Sequence, residues 1–458
     1  MGESHVSLYK RLFRIAVPVA IQQFIFTSVN FVDTLMIGTL GETAIAAVGL
    51  SNQLFFLYNL VIFGLASGGA IFFAQYWGKG DIEGIARSTA LTSLLALVFS
   101  TPFFVLSFFF PGFTLRFFSP DPAVITVGIP YLKIVALSYP FFAMTFVMSM
   151  VLRSIEHAIV PMLTSILEVA TNVLLNYGLI FGKLGMPRLG VYGAGVATSL
   201  ARMIGFVALL SVILFKKYPG RFGWRHISSL SSKFVAHFLR YTFPTVANEF
   251  AWAAGVTMYS VIYAHMSTQA VAARNVMSTI EGFAFSFTFA LASAAGVVVG
   301  KELGASRFKE AYEDSKRILK LILMVAVVSG LVIVGITYGV IGFFNISLRA
   351  REMVLAAMII SAAFMPVKSF SAVNIVGFLR AGGDTRFSFL LEASTLWFVG
   401  VPLCALGGLI LKLDFPVVYL LTMAEESLKA MVLIYRFKSR KWVRNVVEKT
   451  YEFETPHV

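Results

Sequence analysis

The sequence predicts an all-α polytopic membrane protein: twelve transmembrane helices as two six-helix bundles, related by a pseudo-two-fold axis along the membrane normal. Three observations predict it. The composition is too apolar for a water-soluble chain, with 58% of the 458 residues hydrophobic and 13% charged. Soluble domains run at roughly 45–50% and about 25%. Apolar stretches of about 22–28 residues recur from end to end, each able to cross about 30 Å of hydrocarbon as a helix. The second half also repeats the first at an offset of 226 residues.

The spans read as 12–38, 48–74, 88–110, 123–150, 158–181, 190–215, 236–262, 270–298, 318–345, 352–378, 386–411 and 414–436. The first is no cleaved leader, being too long and carrying Pro18 and Asp33. Of the 37 Lys and Arg, 26 fall in loops on the side of the N-terminus and 7 on the other side. The positive-inside rule then places both termini in the cytoplasm, in a multi-pass protein of the cell inner membrane. The same asymmetry accounts for the net charge of +14 without a nucleic-acid partner, since no RNA- or DNA-binding motif accompanies it. The partner expected is the lipid bilayer, and the chain is expected to be a monomer.

The longest connection, Lys216–His237, leaves no room for a soluble ATPase or kinase domain. Gly78-Lys79-Gly80-Asp81 lacks the spacing of a phosphate loop and reads as a turn. The single cysteine, Cys404, sits in an apolar run and forms no internal disulfide. No cofactor is expected.

At the 226-residue offset, Arg14 and Pro18 fall on Arg240 and Pro244. Ala44-x-Ala46-Ala47 falls on Ala270-x-Ala272-Ala273, Leu65-Ala66-Ser67 on Leu291-Ala292-Ser293, and Gly78 on Gly304. Pro140 matches Pro366, and Leu152-Arg153 matches Leu379-Arg380 with one residue of slip. Six spans per half is an even number, so the repeats are parallel, as in transporters with a site between halves at mid-depth. The expected organisation is an N-terminal lobe at 1–217, a cytoplasmic linker at 218–235, a C-terminal lobe at 236–440 and a basic cytoplasmic tail at 441–458.

Three segments resemble one family. Asn30-Phe31-Val32-Asp33-Thr34-Leu35-Met36-Ile37-Gly38 is similar to the first-helix signature of multidrug and toxic compound extrusion (MATE) transporters. Leu379-Arg380-Ala381-Gly382-Gly383-Asp384-Thr385 resembles that family's motif between the tenth and eleventh helices. Asn172-x3-Asn176 followed by Gly178-Leu179-Ile180-Phe181-Gly182 is similar to its fifth helix. The resemblance covers essentially the whole chain. It implies a V-shaped pair of bundles exporting organic cations in exchange for sodium ions or protons, with a cation site at the positions of Asp33, Asn172 and Asn176. Some members carry an aspartate where this chain has Asn176.

Ionisable groups inside spans are costly unless they face a partner or an aqueous cavity, so each is a functional candidate. Asp33 falls in the outer third of span 1. Glu168, Asn172 and Asn176 lie at i, i+4 and i+8, hence on one face of span 5, with Asn176 near the depth of Asp33. A carboxylate with amide oxygens suits Na+, and the same carboxylate is equally suited to carry a proton; the alternative is that Asp33 caps or pairs locally.

Glu168, Lys133 and Arg202 all fall near mid-membrane, which reads either as a buried ion pair or as a coupling element. Glu249 and Glu281 also reach mid-depth on oppositely running spans, as an acidic contact for substrate or a second proton site. Lys368 and Glu392 share the inner third, where an interhelical salt bridge is expected. Pro18 and Pro244 remove a backbone hydrogen bond near the start of each half and permit bending of the helix, or fix a static kink.

The expected function is secondary active efflux of small cationic amphipathic drugs or dyes in antiport with Na+ or H+. The 45 Phe and 17 Met are suited to holding flat cations, although most serve lipid contact and packing. The rival within transport is a flippase for lipid-linked oligosaccharide or peptidoglycan precursors, whose anionic pyrophosphates call for a cavity rich in Arg and Lys. A membrane enzyme is disfavoured because the six histidines are scattered over loops and ends.

Overall fold

A computed structural model describes residues 2–344 and 346–448, and the side chains among them other than those of 2–6, 30 and 31. The described chain is helical throughout, with no strand. Twelve helical rods occupy the places of the twelve expected spans. They are α1 (Gly2–Gly38), α2 (Glu42–Lys79), α3 (Ile82–Phe108), α4 (Pro122–Ala136 with Tyr139–Ser154), α5 (Ile159–Phe181) and α6 (Gly190–Phe215), followed by α7 (Ser232–Met266), α8 (Thr268–Gly304), α9 (Phe308–Val340), α10 (Leu348–Leu379), α11 (Thr385–Ile410) and α12 (Phe415–Lys438). Two short helices, Pro111–Phe118 and Trp224–Ser228, were not expected from the apolar pattern.

Nine of the described helices are long and apolar enough to cross a membrane, and the two parts of α4, bent by 47°, make a tenth span. The remaining rods, α7 and α12, carry charge within them, including Glu249 on α7 and Glu425, Glu426 and Lys429 on α12. The bend in α4 has a local cause. Pro140 sits in the first turn after the break and supplies no N–H. Leu137 and Ser138 close short turns onto Ile134 and Val135 instead.

The chain divides into two compact units whose limits differ from the sequence halves. One holds Ile21–Phe73 and Asp81–Phe238; the other holds the residues through Ala20, Ala74–Gly80 and the chain from Leu239 on. The divisions cut α1 just past Pro18, α2 after Phe73 and α7 after Phe238. In the first unit the core centres on Tyr58, whose ring stacks on Tyr139 at 4.8 Å and whose hydroxyl donates to the Tyr139 carbonyl at 2.7 Å. In the second, Tyr263, Met277, Met358, Phe415 and Val418 form the buried apolar centre.

Two glycines explain why the ends of α2 and α8 belong to the second unit. A Cβ on Gly78 would lie 1.8 Å from the Lys301 carbonyl oxygen, and one on Gly304 would lie 1.9 Å from the Gln75 carbonyl oxygen. The four residues form two repeat-related pairs, so the helix ends cross on reciprocal glycine contacts. Beside them Gln75 donates to the carbonyls of Ala381 (2.7 Å) and Arg444 (3.2 Å) and accepts from Val446 N–H (2.6 Å).

The described chain after α12, through Glu448, is thus packed rather than free. Trp442 is fully buried, with Val446 and Val447 beside it. The tail expected at 441–458 is described only to Glu448; its remainder lies outside the described residues.

Candidate functional site

In the first unit Gly193 admits close packing of α6 on α5: a Cβ there would lie 2.6 Å from the Leu179 carbonyl oxygen. That approach brings Thr198 of α6 to Asn172 of α5. Asn172 Nδ2 donates to Thr198 Oγ1 at 3.4 Å, and Thr198 donates to the Ala194 carbonyl at 3.0 Å. One turn along α5, Asn176 Nδ2 donates to Asn172 Oδ1 at 3.2 Å and to Asp33 Oδ1 on α1 at 2.7 Å. Asp33, Asn172 and Asn176 are therefore brought together, as the family resemblance implied.

Asn172 and Asn176 are buried, and Asn176 Oδ1 has no hydrogen-bond partner. A buried acceptor left open next to a carboxylate needs a donor or a cation, since buried polar groups are ordinarily satisfied. Carboxylate, amide and hydroxyl oxygens are the donor set of a hard monovalent cation, so these residues fit Na+ as well as a proton.

Arg202 flanks this site without an ionic bond to it. Its Nη1 donates to Ser138 Oγ at 2.9 Å, at the bend in α4, and its guanidinium lies 4.1 Å from the centre of the Phe55 ring and 5.3 Å from that of Phe142. The expected ion pairing of Glu168, Lys133 and Arg202 is not formed. Lys133 lies on the exposed face of α4, and the Glu168 carboxylate packs against the open face of Gly205, where a Cβ would be 2.7 Å from Glu168 Oε2. The three residues point to different faces of their helices.

The expected meeting of Glu249 and Glu281 is also corrected. Glu249 on α7 accepts from Arg380 Nη2 at 2.5 Å, both side chains being buried. Glu281 on α8 is held by Arg274 (2.8 Å), Lys368 (3.2 Å), the Tyr419 hydroxyl (2.8 Å) and Ser361. Each carboxylate has found its own cation, which offsets the cost of burying its charge. Lys368 therefore pairs with Glu281 rather than with Glu392, and Glu392 lies instead near Lys429 at 3.8 Å and accepts from Asn248 at 2.6 Å.

Pro18 and Pro244 are both buried inside continuous helices, α1 and α7. The grouping of Glu392, Glu425, Glu426 and Lys429 was missed. Its signal was present in the i, i+3 and i+4 spacing of two acids and a lysine inside the last apolar span.

The model of the MatE family matches residues 18–178 and again 244–406. The chain belongs to the MatE family. The two matched blocks begin at the repeat-related prolines, 226 residues apart. Relatives at similar identity span nearly the full length. An uncharacterized transporter of Bacillus subtilis (strain 168), YisQ, is 25% identical over 436 residues, covering 94% of this chain and 95% of that one. A probable multidrug resistance protein of Thermotoga maritima, NorM, is 25% identical over 449 residues, covering 96% and 94%.

Solved structures share the fold. An outward-facing multidrug resistance MATE family transporter of the MOP superfamily superposes with a TM-score of 0.84 at 18% identity, over 95% of this chain and 97% of that one. A MOP superfamily transporter from Pyrococcus furiosus gives 0.82 at 19%, over 94% and 96%. This MatE chain is accordingly a multi-pass membrane transporter.

Membership of the MatE family also gives Leu379–Thr385 a physical reading. Asp384 N–H bonds the Leu379 carbonyl and Gly383 N–H the Arg380 carbonyl, both at 2.8 Å, closing α10 with Gly383 in the left-handed region (φ +72°). Gly382 leaves room for the Trp442 carbonyl, which a Cβ would meet at 1.6 Å. Asp384 takes Arg436 in two hydrogen bonds of 2.6 and 2.8 Å. The motif is an anchor between α10, α12 and the chain beyond.

Proposed function

We propose that this transporter exports lipophilic organic cations in antiport with Na+ or H+, the coupling ion binding at Asp33 with the amide oxygens of Asn172 and Asn176. The observation that carries the reading is the open Asn176 Oδ1 beside Asp33. The multidrug resistance proteins among its relatives support the substrate class. Both termini are cytoplasmic on this reading, and the protein works as a monomer in the cell inner membrane.

The chemistry follows from the hydrogen bond between α1 and α5. Ionised Asp33 accepts from Asn176 Nδ2. A protonated Asp33 offers an O–H that the open Asn176 Oδ1 is suited to accept, and a bound Na+ draws on the same oxygen. Loading the site therefore adds an amide-oxygen contact between α1 and α5. Pro18 lies two residues before the point where α1 passes from one compact unit to the other, and it removes a ladder hydrogen bond there. Arg202 adds a fixed positive charge next to Asp33, so an arriving organic cation and the coupling ion draw on a single carboxylate. Glu249 and Glu281 are each held by their own cations, whereas Asp33 has an open amide oxygen beside it.

Binding of tetraphenylphosphonium to the purified protein tests the proposal. Affinity is expected to fall as Na+ is added at fixed pH, or as pH falls without Na+, and to lose that dependence in Asp33→Asn. Affinity indifferent to both ions in the wild type removes the basis for antiport and favours an amphiphilic lipid as substrate.

A further inference from the structure

We propose that Glu392, Glu425, Glu426 and Lys429 form a second proton-binding site in the second half of the chain, one that loads and unloads in each transport cycle. The cycle rests on the exporter reading; the site does not. Lys429 is buried, and its Nζ lies 2.6 Å from Glu425, 3.1 Å from Glu426 and 3.8 Å from Glu392. One ammonium faces three carboxyl groups, so the group is neutral only with two further positive charges. In a low-dielectric interior such a deficit is not sustained, and interacting carboxylates share protons.

The hydrogen bonding points to the same missing partner independently of the charge. Asn248 is 3% exposed and its Nδ2 donates to Glu392 Oε2 at 2.6 Å, yet its Oδ1 has no partner. Glu426 Oε2 is likewise buried and open. Both atoms are acceptors, so what is missing is a donor, and a protonated carboxyl supplies one. A third open oxygen, the Tyr259 hydroxyl, sits over Gly400 in the π-helical turn Leu396–Gly400, where a Cβ would lie 2.0 Å from it and 3.2 Å from Glu425 Cβ. Thr395 adds a donor to Glu425 Oε1 at 3.3 Å.

The charged groups around the cluster are otherwise committed. On α7, Glu249 is taken by Arg380; on α10, Lys368 is taken by Glu281 and Tyr419. On α11 the remaining titratable groups are the exposed Arg386 in its first turn and the buried Cys404 thiol. The Glu426 side chain is 20% exposed against 5% for Glu425 and Lys429, which makes it the entry point for the proton. Glu425 and Lys429 stand 227 positions after Thr198 and Arg202, the interval that also relates Arg380 to Arg153. The cluster is the second half's version of the place that holds the amides in the first.

Infrared difference spectroscopy of the lipid-reconstituted full chain tests this without transport. Raising the pH is expected to remove a protonated-carboxyl band, and Glu426→Gln or Glu392→Gln to abolish part of that change while Asp33→Asn leaves this part in place. Lys429→Gln, which deepens the charge deficit, is expected to enlarge the band. A pH-dependent change of equal size in the wild type and in each glutamine variant overturns the site. Loss of the band on adding Na+ at fixed pH overturns the assignment to a proton. If Glu426→Gln loses its part of the band but keeps wild-type coupling, the site stands and its place in the cycle falls. A wild type that shows the band but no ion-linked efflux contradicts the exporter reading alone.

Discussion

Arg380 stands to Glu249 as Arg153 stands to Gln22. Each guanidinium, at the end of the fourth rod of its half, reaches a side chain on the first rod 131 residues earlier. The neighbouring contacts follow the same plan, with Gln22 donating to Ser165 and Asn248 to Glu392. In one half the arginine meets a neutral amide, in the other a carboxylate. The same architectural clamp is therefore uncharged on one acceptor and ionic on the other.

Removing Arg380 leaves Glu249 buried and unpaired, so Arg380→Ala is expected to cost about 3–5 kcal/mol. Arg153→Ala leaves a neutral amide and is expected to cost about 1–3 kcal/mol. Denaturant unfolding in detergent measures both. The double variant Glu249→Leu with Arg380→Met is expected to recover most of the loss, and a double variant no better than Arg380→Ala would refute the ionic account.

Glu281 neutralises two cations, Arg274 and Lys368, so Glu281→Gln is expected to lower thermal stability by about 3–5 kcal/mol. Adding Lys368→Met is expected to restore part of it. The ion dependence of substrate binding should survive in the double variant. Its disappearance there would move the coupling site from Asp33 to Glu281.

Gly304→Ala places a methyl on the Gln75 backbone and is expected to free the chain after α12. Hydrogen exchange at the Val446 amide, which bonds Gln75 Oε1 at 2.6 Å, is expected to rise at least about tenfold, equivalent to about 1.4 kcal/mol. Gly335→Ala, with nothing within 4 Å of its added Cβ, serves as the control. Equal protection in both variants would show that the glycine contact does not hold the latch.

Trp442 is fully buried, stacked on Phe378 and Phe437 at 5.8 and 5.7 Å between centroids, and donates to the Phe437 carbonyl at 3.2 Å. Trp442→Ala is expected to cost about 3–5 kcal/mol. A melting temperature unchanged by the substitution would show that the segment after α12 is not part of the folded body.

Much of this was legible because a membrane makes sequence unusually explicit. Span length and apolarity located all twelve rods, with ends within about six residues except the starts of α1 and α9, which lie ten residues earlier than expected. The period of the α-helix put Asn172 and Asn176 on one face, and the family resemblance joined that face to Asp33. Position along a span was readable too, since it follows from counting residues. What could not be read was azimuth: Lys133, Glu168 and Arg202 were expected at one depth but point in different directions, and Lys368 had two acids within its range. Charge pairing between helices depends on which faces meet, and that is set by close contacts such as Gly193 on Leu179 or Gly400 on Tyr259. Trp442 and Val446 were missed because a short segment of mixed charge carries no periodic signal of burial.

The central claim is that Asp33 couples an inward ion gradient to outward movement of a lipophilic cation. Ethidium efflux in proteoliposomes, with the Na+ and pH gradients imposed one at a time, tests it most directly. Efflux driven by one of the two gradients in the wild type, and lost in Asp33→Asn with unfolding behaviour unchanged, is the predicted result. Gradient-driven efflux that survives intact in Asp33→Asn would contradict it.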